Sequence, residues 1–573
     1  MISKILKLVE DKVGAIKLLV FICIGAIVEL LSIAALLPAI FLISNQSDNP
    51  ILNFFKEFFN ELNPNLSESN FAFTVLIVLI FLFLIKFIYV TFLSYYQATF
   101  ALNLEVKLSN FLLKKYLKAK HQFHVNNNSA IIIRNVNNEV NIFYKHIFTP
   151  LMISILEIII ATVMVIFLLF YNPITTIIIL AIMIFLFFIY FFYFKKRFFG
   201  WGKERLFHDG MKLKNLKESI DFVKLIKFMK KEDFFLKKFK FHNRYSNLVS
   251  RRFSVMFVIP RLSLEFFLVL IIASIGIFLI SKGGSLNYFF ETATVYITIA
   301  YRLIPSLTRL STSFQAMSGT KASLDTLVKI YDSNELKDDE INFNQNKKLK
   351  KISFNKMIEL VDINFKYENK TETTLENLNF KINKGEFIGI IGDTGSGKST
   401  LVDLLLGIFK PTSGKIKVDG NILEKNSMLN YGYVPQQSSI LDETIANNIA
   451  FGEENENINR DLIEEVIKIS KIDKFINNLP DGLETVLSER GENLSGGQAQ
   501  RINIARALYF KPDILILDEA TSALDLKTEA EFLKDLLNLK KFKTIILISH
   551  RKESMIYCDN IYELKDKKII LKK

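Results

Sequence analysis

Residues 387–400 read FIGIIGDTGSGKST, and this stretch decides the fold of the chain's second half. The run Phe387-Ile388-Gly389-Ile390-Ile391 has the length and β-branched content of a buried strand. It leads into Gly392-Asp393-Thr394-Gly395-Ser396-Gly397-Lys398-Ser399-Thr400, a complete GxxxxGK[ST] pattern in the strand–loop–helix context that the pattern requires. Glycines allow backbone N–H groups to close around phosphates, and the helix that follows turns its positive end toward them. In such a loop Lys398 reaches the β- and γ-phosphates of a nucleotide, and the Ser399 hydroxyl binds Mg²⁺.

Working outward, Ile514-Leu515-Ile516-Leu517 is a second apolar strand and ends in Asp518-Glu519. An acid at a strand end beside the phosphate loop is placed to hold Mg²⁺ through water, and the next one can polarise an attacking water. A third strand, 544–548, is followed by His550. Strands alternating with helical segments predict a mainly parallel α/β sheet wrapped by helices.

The first half reads differently. Of the 72 Lys+Arg and 58 Asp+Glu, residues 1–330 hold 37 and 19, so the positive excess lies entirely in the Phe/Ile/Leu-rich part. No aromatic-interleaved basic motif accompanies it, which excludes a nucleic-acid partner. Six apolar stretches, at about 14–43, 71–99, 147–170, 173–194, 253–281 and 287–312, are long enough to cross ~30 Å of hydrocarbon as helices. The first reads as a retained span, because its apolar run is too long for a cleaved signal peptide. Residues 101–146 carry seven Lys/Arg against two acids and 195–252 eighteen against six, whereas 44–70 carries Lys56 against four acids. Positive loops stay in the cytoplasm, so both termini are expected inside. Residues 51–62, ILNFFKEFFNEL, form an amphipathic helix that lies along the outer surface or caps the bundle. Cys23 and Cys558 are the only cysteines, too few for a disulfide framework or a thiolate metal site.

At Leu494-Ser495-Gly496-Gly497-Gln498 the sequence resembles the ATP-binding cassette superfamily. The likeness covers about 357–573, and the six spans extend it to the exporter-type half-transporter. The resemblance implies three regions: a six-span membrane domain over 1–330, a polar linker over 331–356, and a cytoplasmic ATPase domain over 357–573. It implies ATP and Mg²⁺ as cofactors. It also implies that Ser495, Gly496, Gly497 and Gln498 contact nucleotide bound to a second, identical chain, so that a homodimer is expected. Tyr367 resembles the aromatic residue that stacks on adenine, with an ordinary strand aromatic as the alternative. Gln436 resembles the glutamine that touches Mg²⁺, Ser522-Ala523-Leu524-Asp525 the loop that crosses the dimer seam, and His550 the switch histidine. Glu519 is then the expected general base, with His550 and Lys398 stabilising charge as the β–γ bond breaks. One departure is Ser488-Glu489-Arg490-Gly491, where many exporters carry Gly-Glu-Arg-Gly.

Charges inside spans are costly and invite a functional reading. Lys86, Arg261 and Arg302 lie on spans two, five and six, about 12–20 Å above the inner surface by helical rise. They form one cationic ring suited to a phosphate or pyrophosphate, or they pair with Glu29, Glu157 and Glu265; Arg261 and Glu265 are spaced for a pair on one helix. With the outer helix and Tyr301-Arg302-Leu303-Ile304-Pro305-Ser306, these features resemble the bacterial flippases of lipid-linked oligosaccharides. That resemblance implies a bacterial inner membrane as the location, and membrane lipid and an anionic, polyprenyl-pyrophosphate glycan as partners. Rival substrates are other lipids, hydrophobic drugs and peptides. A rival of another class is an ATP-gated membrane regulator that transports nothing, against which the complete catalytic set argues.

Overall fold

A computed structural model of the chain describes residues 1–43, 52–53, 55–57, 61, 68–171, 173–281, 286–333, 350–352, 354–367, 372–423, 427–488, 491, 493–521, 526–539 and 543–572. The Ser522–Asp525 stretch, Glu489-Arg490, residues 172 and 282–285, half of residues 51–62 and most of the linker fall outside them. The chain divides into two compact units, Met1–Lys337 and Asp338–Lys573.

The first unit is helical. Lys12–Leu42, Asn70–Leu117 and Ser129–Tyr171 have the length and hydropathy to cross a membrane. The remaining apolar stretches lie on the helices Pro173–Asp221, Glu232–Ser281 and Leu286–Gly319. Helices of 49 and 50 residues reach about 75 Å at 1.5 Å per residue, far more than the hydrocarbon alone demands. The first stretch is interrupted at Ala35, between the helices Lys12–Ala34 and Leu36–Ile43. Pro38 causes the break, because it has no N–H to offer the carbonyl four residues back. Phe73, Ile77, Ile80, Phe81, Leu84, Phe87 and Ile88 stand exposed along one helix, an apolar face that water would not tolerate and lipid does. Elsewhere helices approach closely: a Cβ built on Gly202 would stand 2.0 Å from the Gly319 carbonyl oxygen.

At the amino terminus, Ile5, Leu8 and Val9 pack with Leu324 and Leu327 of the helix Lys321–Asp332. Lys4 pairs with Asp325 at 2.6 Å and Lys7 with Asp332 at 2.7 Å. Lys115 Nζ donates to the carbonyls of Ile330 and Tyr331 in the last turn of that helix.

The second unit is α/β. Its larger sheet runs, in spatial order, Lys568–Leu571, Asn560–Lys565, Phe387–Ile391, Thr544–Ile548, Ile514–Asp518 and Tyr431–Val434, parallel except for the first pair. Alternation along these strands serves two cores. Phe387, Leu515, Leu517, Ile545 and Leu547 pack with Ile502, Ala505 and Leu508 on one face. Ile388, Ile390, Ile514, Ile516, Ile546 and Ile548 pack with Leu401, Val402 and Leu405 on the other. Every residue of Ile514–Asp518 and Thr544–Ile548 is buried, which is why both strands read as unbroken apolar runs. A second, antiparallel sheet, Leu375–Asn383, Met357–Phe365, Ser413–Val418 and Asn421–Ile422, borders the second core. The architecture is thus a membrane-type helical unit fused to an α/β ATPase-type unit, as the sequence predicts.

Candidate functional site

Register brings the site together. Ile548 pairs with Asp518 on one side and Ile390 on the other, so three strands end level beside the glycine loop. Gly395 and Gly397 sit at φ +84° and +104°, conformations that a side chain would strain. A Cβ on Gly392 would meet the Leu564 carbonyl oxygen at 2.6 Å. Lys398 opens the helix Lys398–Leu405 and folds back, its ammonium donating to the carbonyls of Gly392 at 2.7 Å and Asp393 at 3.0 Å. Burial lowers its pKa, while the nearby carboxylates of Glu519, Asp518 and Asp393 act in the opposite direction. Asp393, Thr394 and Gly395 are exposed at the loop tip, and Ser399 is exposed in the helix's first turn. Ser396 Oγ is buried without a hydrogen-bond partner.

Asp518 is buried, and its carboxyl is pushed up to about 6, first by burial and then by the charges of Glu519 and Asp403. Tyr433 hydrogen-bonds to it, and burial raises the Tyr433 phenol as well. Glu519 adopts φ +49°, and its N–H donates to the Ile548 carbonyl at 3.0 Å. This left-handed step turns its side chain between two others. Gln436 Nε2 donates to Glu519 Oε2 at 2.7 Å, and His550 Nε2 lies 2.9 Å from Glu519 Oε1. Asp518, Glu519, Gln436, His550 and Lys398 therefore form one neighbourhood, joined to the loop.

The Tyr367 hydroxyl lies 2.9 Å from Thr400 Oγ1, and its ring meets Phe365 and Phe409 edge-on. Ser495 caps the helix Gly496–Tyr509: Gln498 N–H donates to the Ser495 hydroxyl, and Ser495 N–H donates to Gln498 Oε1 at 2.7 Å. Gly496 and Gly497 head this helix, where first-turn N–H groups point off its end. Among the described residues no hydrogen bond or ion pair joins Ser495–Gln498 to Lys398 or Glu519. One turn further on, buried Gln500 donates to the Glu519 carbonyl at 3.3 Å. Gln500, Tyr433 and Asp403 escape sequence reasoning, because no local pattern marks a contact made across the sheet.

In the helical unit, Arg302 and Lys86 converge on Glu29: Arg302 bonds Glu29 Oε2, and Lys86 Nζ stands 3.8 Å from Oε1. Arg302 also lies 3.7 Å from Glu157, which Arg309 engages directly. Arg261 pairs with Glu265 at 2.8 Å, one helical turn along the same helix. The structure thus brings Lys86 and Arg302 together, joins Arg309 to them, and gives Arg261 its own carboxylate.

Residues 375–522 match the family model described as ABC transporter, and residues 36–301 match that of the ABC transporter transmembrane region. The two regions together take in most of the chain, which in both resembles the ABC transporters and joins one membrane-type region to one ABC ATPase-type region. Its whole length also resembles a solved structure of a bacterial Atm1-family ABC exporter with ATP bound, with a TM-score of 0.78 and 19% identity over 98% of this chain and 94% of that one. At that identity the likeness establishes the fold. Among curated relatives, an ATP-dependent lipid A-core flippase of Vibrio cholerae is 34% identical over 49% of this chain and 47% of its own length. ABC transporter B family member 29 of Arabidopsis thaliana is 40% identical over 36% of this chain and 33% of its own. The chain thus spans less than half the length of these relatives.

Proposed function

We propose that two copies of this chain form an ATP-driven flippase that moves a lipid-linked oligosaccharide, through its pyrophosphate, across a bacterial inner membrane. The cytoplasmic side would carry both termini and the ATPase unit. The observation that carries the substrate reading is the convergence of Lys86 and Arg302, from different membrane helices, on one largely buried carboxylate. A guanidinium and an ammonium held there suit a phosphoryl group. The flippase relative of Vibrio cholerae supports a lipid cargo.

For hydrolysis, the residues at hand fit Mg²⁺ and a triphosphate. Ser399, Gln436 and Asp518 offer the hard oxygen donors that Mg²⁺ takes. The raised pKa of Asp518 is a cost that a cation removes, and the orphaned Ser396 hydroxyl suits a phosphate oxygen. When bound, Mg²⁺ supplies charge neutralisation between the phosphates. Gly392–Gly397 would wrap the phosphates with N–H groups, Lys398 would turn its ammonium to the β- and γ-oxygens, and Tyr367 would face adenine. Glu519 would accept the proton of the attacking water, oriented by Gln436 and His550. Ser495, Gly496 and Gly497 would close over the γ-phosphate of the partner's nucleotide, so each site needs both chains. Closing of the paired ATPase units moves the membrane helices only because ATP binds the closed arrangement more tightly than the open one.

The test is leaflet translocation of a fluorescent polyprenyl-pyrophosphate glycan in proteoliposomes. Lys86→Ala with Arg302→Ala should lower the glycan moved per ATP hydrolysed by at least about tenfold, the effect of losing about 1.4 kcal/mol of binding. An unchanged ratio rejects the anionic substrate, and competition by neutral lipids or drugs in the same assay would favour those cargoes.

A further inference from the structure

Three cations and two carboxylates meet within the membrane helices: Lys86, Arg302 and Arg309 against Glu29 and Glu157. The carboxylates are not equivalent. Glu157 is 3% exposed and is held between two arginines. Glu29 is 12% exposed, and Lys86 stands off at 3.8 Å, beyond hydrogen-bond reach, with 23% of its side chain open. Arg302 Nε is buried without an acceptor. The cluster therefore keeps spare donors, Arg302 Nε and the Lys86 ammonium, beside the more open Glu29, while Glu157 lies deeper and is bonded by Arg309 through Oε1 alone. A carboxylate and a phosphoryl group make the same bidentate contacts to a guanidinium, so each can take the other's place.

We propose that Glu29 is a displaceable counter-anion: it occupies Arg302 and Lys86 while no substrate is bound, and the substrate's phosphoryl oxygens take its place. The inference rests on the reading of Lys86 and Arg302 as substrate groups and adds the residue that sets affinity and permits release. Without Glu29, Lys86 would face a low-dielectric interior unpaired and Arg302 would keep only Glu157, 3.7 Å away. A substrate that paired them permanently would never leave. As the phosphoryl group departs, the Glu29 carboxylate returns to Arg302 and restores an anionic partner to it, so the two states stay close in free energy.

Glu29→Gln keeps the side chain's shape and removes its charge. In the proteoliposome assay the half-saturating concentration of the pyrophosphate-linked glycan should fall about tenfold, equivalent to about 1.4 kcal/mol of removed competition, and the maximal rate should fall because release slows. A merely structural role would not move the two parameters in this way. Glu29→Asp, charged but shorter, should lie between. Unchanged or raised half-saturation in Glu29→Gln, while Lys86→Ala with Arg302→Ala abolishes translocation, overturns the counter-anion and leaves the substrate reading standing. If wild type shows no saturable response to the glycan, the substrate reading fails and the counter-anion with it. Should Glu29→Gln fail to fold, a hydrophobic carbodiimide reports on wild type. Adding the glycan should raise labelling of Glu29 severalfold, read by mass spectrometry, and equal or lower labelling refutes displacement.

Discussion

Glu519→Gln isolates the hydrolytic step from nucleotide binding. The carboxylate lies 2.9 Å from His550 and 2.7 Å from Gln436, and it follows a backbone turn at φ +49°. Glutamine has the same shape, tolerates that turn no worse than glutamate, and can still present an oxygen to the Gln436 amide. The Glu519 N–H to the Ile548 carbonyl is untouched by the change. What disappears is the proton acceptor. A positioned general base is worth about 10²–10⁴ in rate, or about 3–5 kcal/mol of barrier. Phosphate release from purified protein should therefore fall at least about 100-fold, while equilibrium ATP binding stays near that of wild type. A fall of less than about tenfold would put the base elsewhere. A parallel loss of ATP binding would make Glu519 a binding group instead of a proton acceptor.

Gly202→Ala should lower the Tm in detergent, because its Cβ would stand 2.0 Å from the Gly319 carbonyl and overpacking of this kind costs about 1–3 kcal/mol; an unchanged Tm would mean that the helices do not meet there. Gln500→Ala removes the donor to the Glu519 carbonyl and should lower kcat with little change in KM for ATP; a rise in KM alone would contradict a positioning role. Asp518, with its carboxyl raised to about 6, is best tolerated protonated. Its contribution to stability is full below its ordinary value of 3.8 and is lost as pH rises through about 6. Asp518→Asn should therefore gain Tm relative to nucleotide-free wild type as pH rises from 5 to 7.5, and Mg²⁺ with ATP should close the gap. A gap independent of pH would contradict the burial cost.

The legible parts of this molecule are the contiguous ones. Residues 387–400 hold strand, loop and helix in one stretch, so the glycine spacing and the apolar run reach the same conclusion without help from distant residues. The fully buried strands 514–518 and 544–548 read as short β-branched runs for the same reason. The i,i+4 spacing of Arg261 and Glu265 likewise makes their pair readable. What sequence did not disclose is rotational and long-range. Counting rise along a helix gives the depth of a charge but not the face it takes, so no spacing shows that Arg309 joins Arg302 at Glu157. Gln500 meets Glu519 through the packing of the helix Gly496–Tyr509 near the ends of the strands, a contact between elements that no local spacing records. The break at Ala35 was carried by Pro38, whose effect lies a full turn upstream of itself.

The central claim is that each nucleotide lies between two chains, held by the glycine loop of one and by Ser495 of the other. Complementation tests it most directly: Lys398→Ala and Ser495→Ala chains, each inactive alone, are co-expressed with different affinity tags and the mixed dimer is purified through both. The account predicts that ATP hydrolysis returns in the mixed dimer, because one of its two sites pairs an intact Lys398 with an intact Ser495 from the opposite chain. Hydrolysis no greater than that of the two parent variants would contradict a shared site.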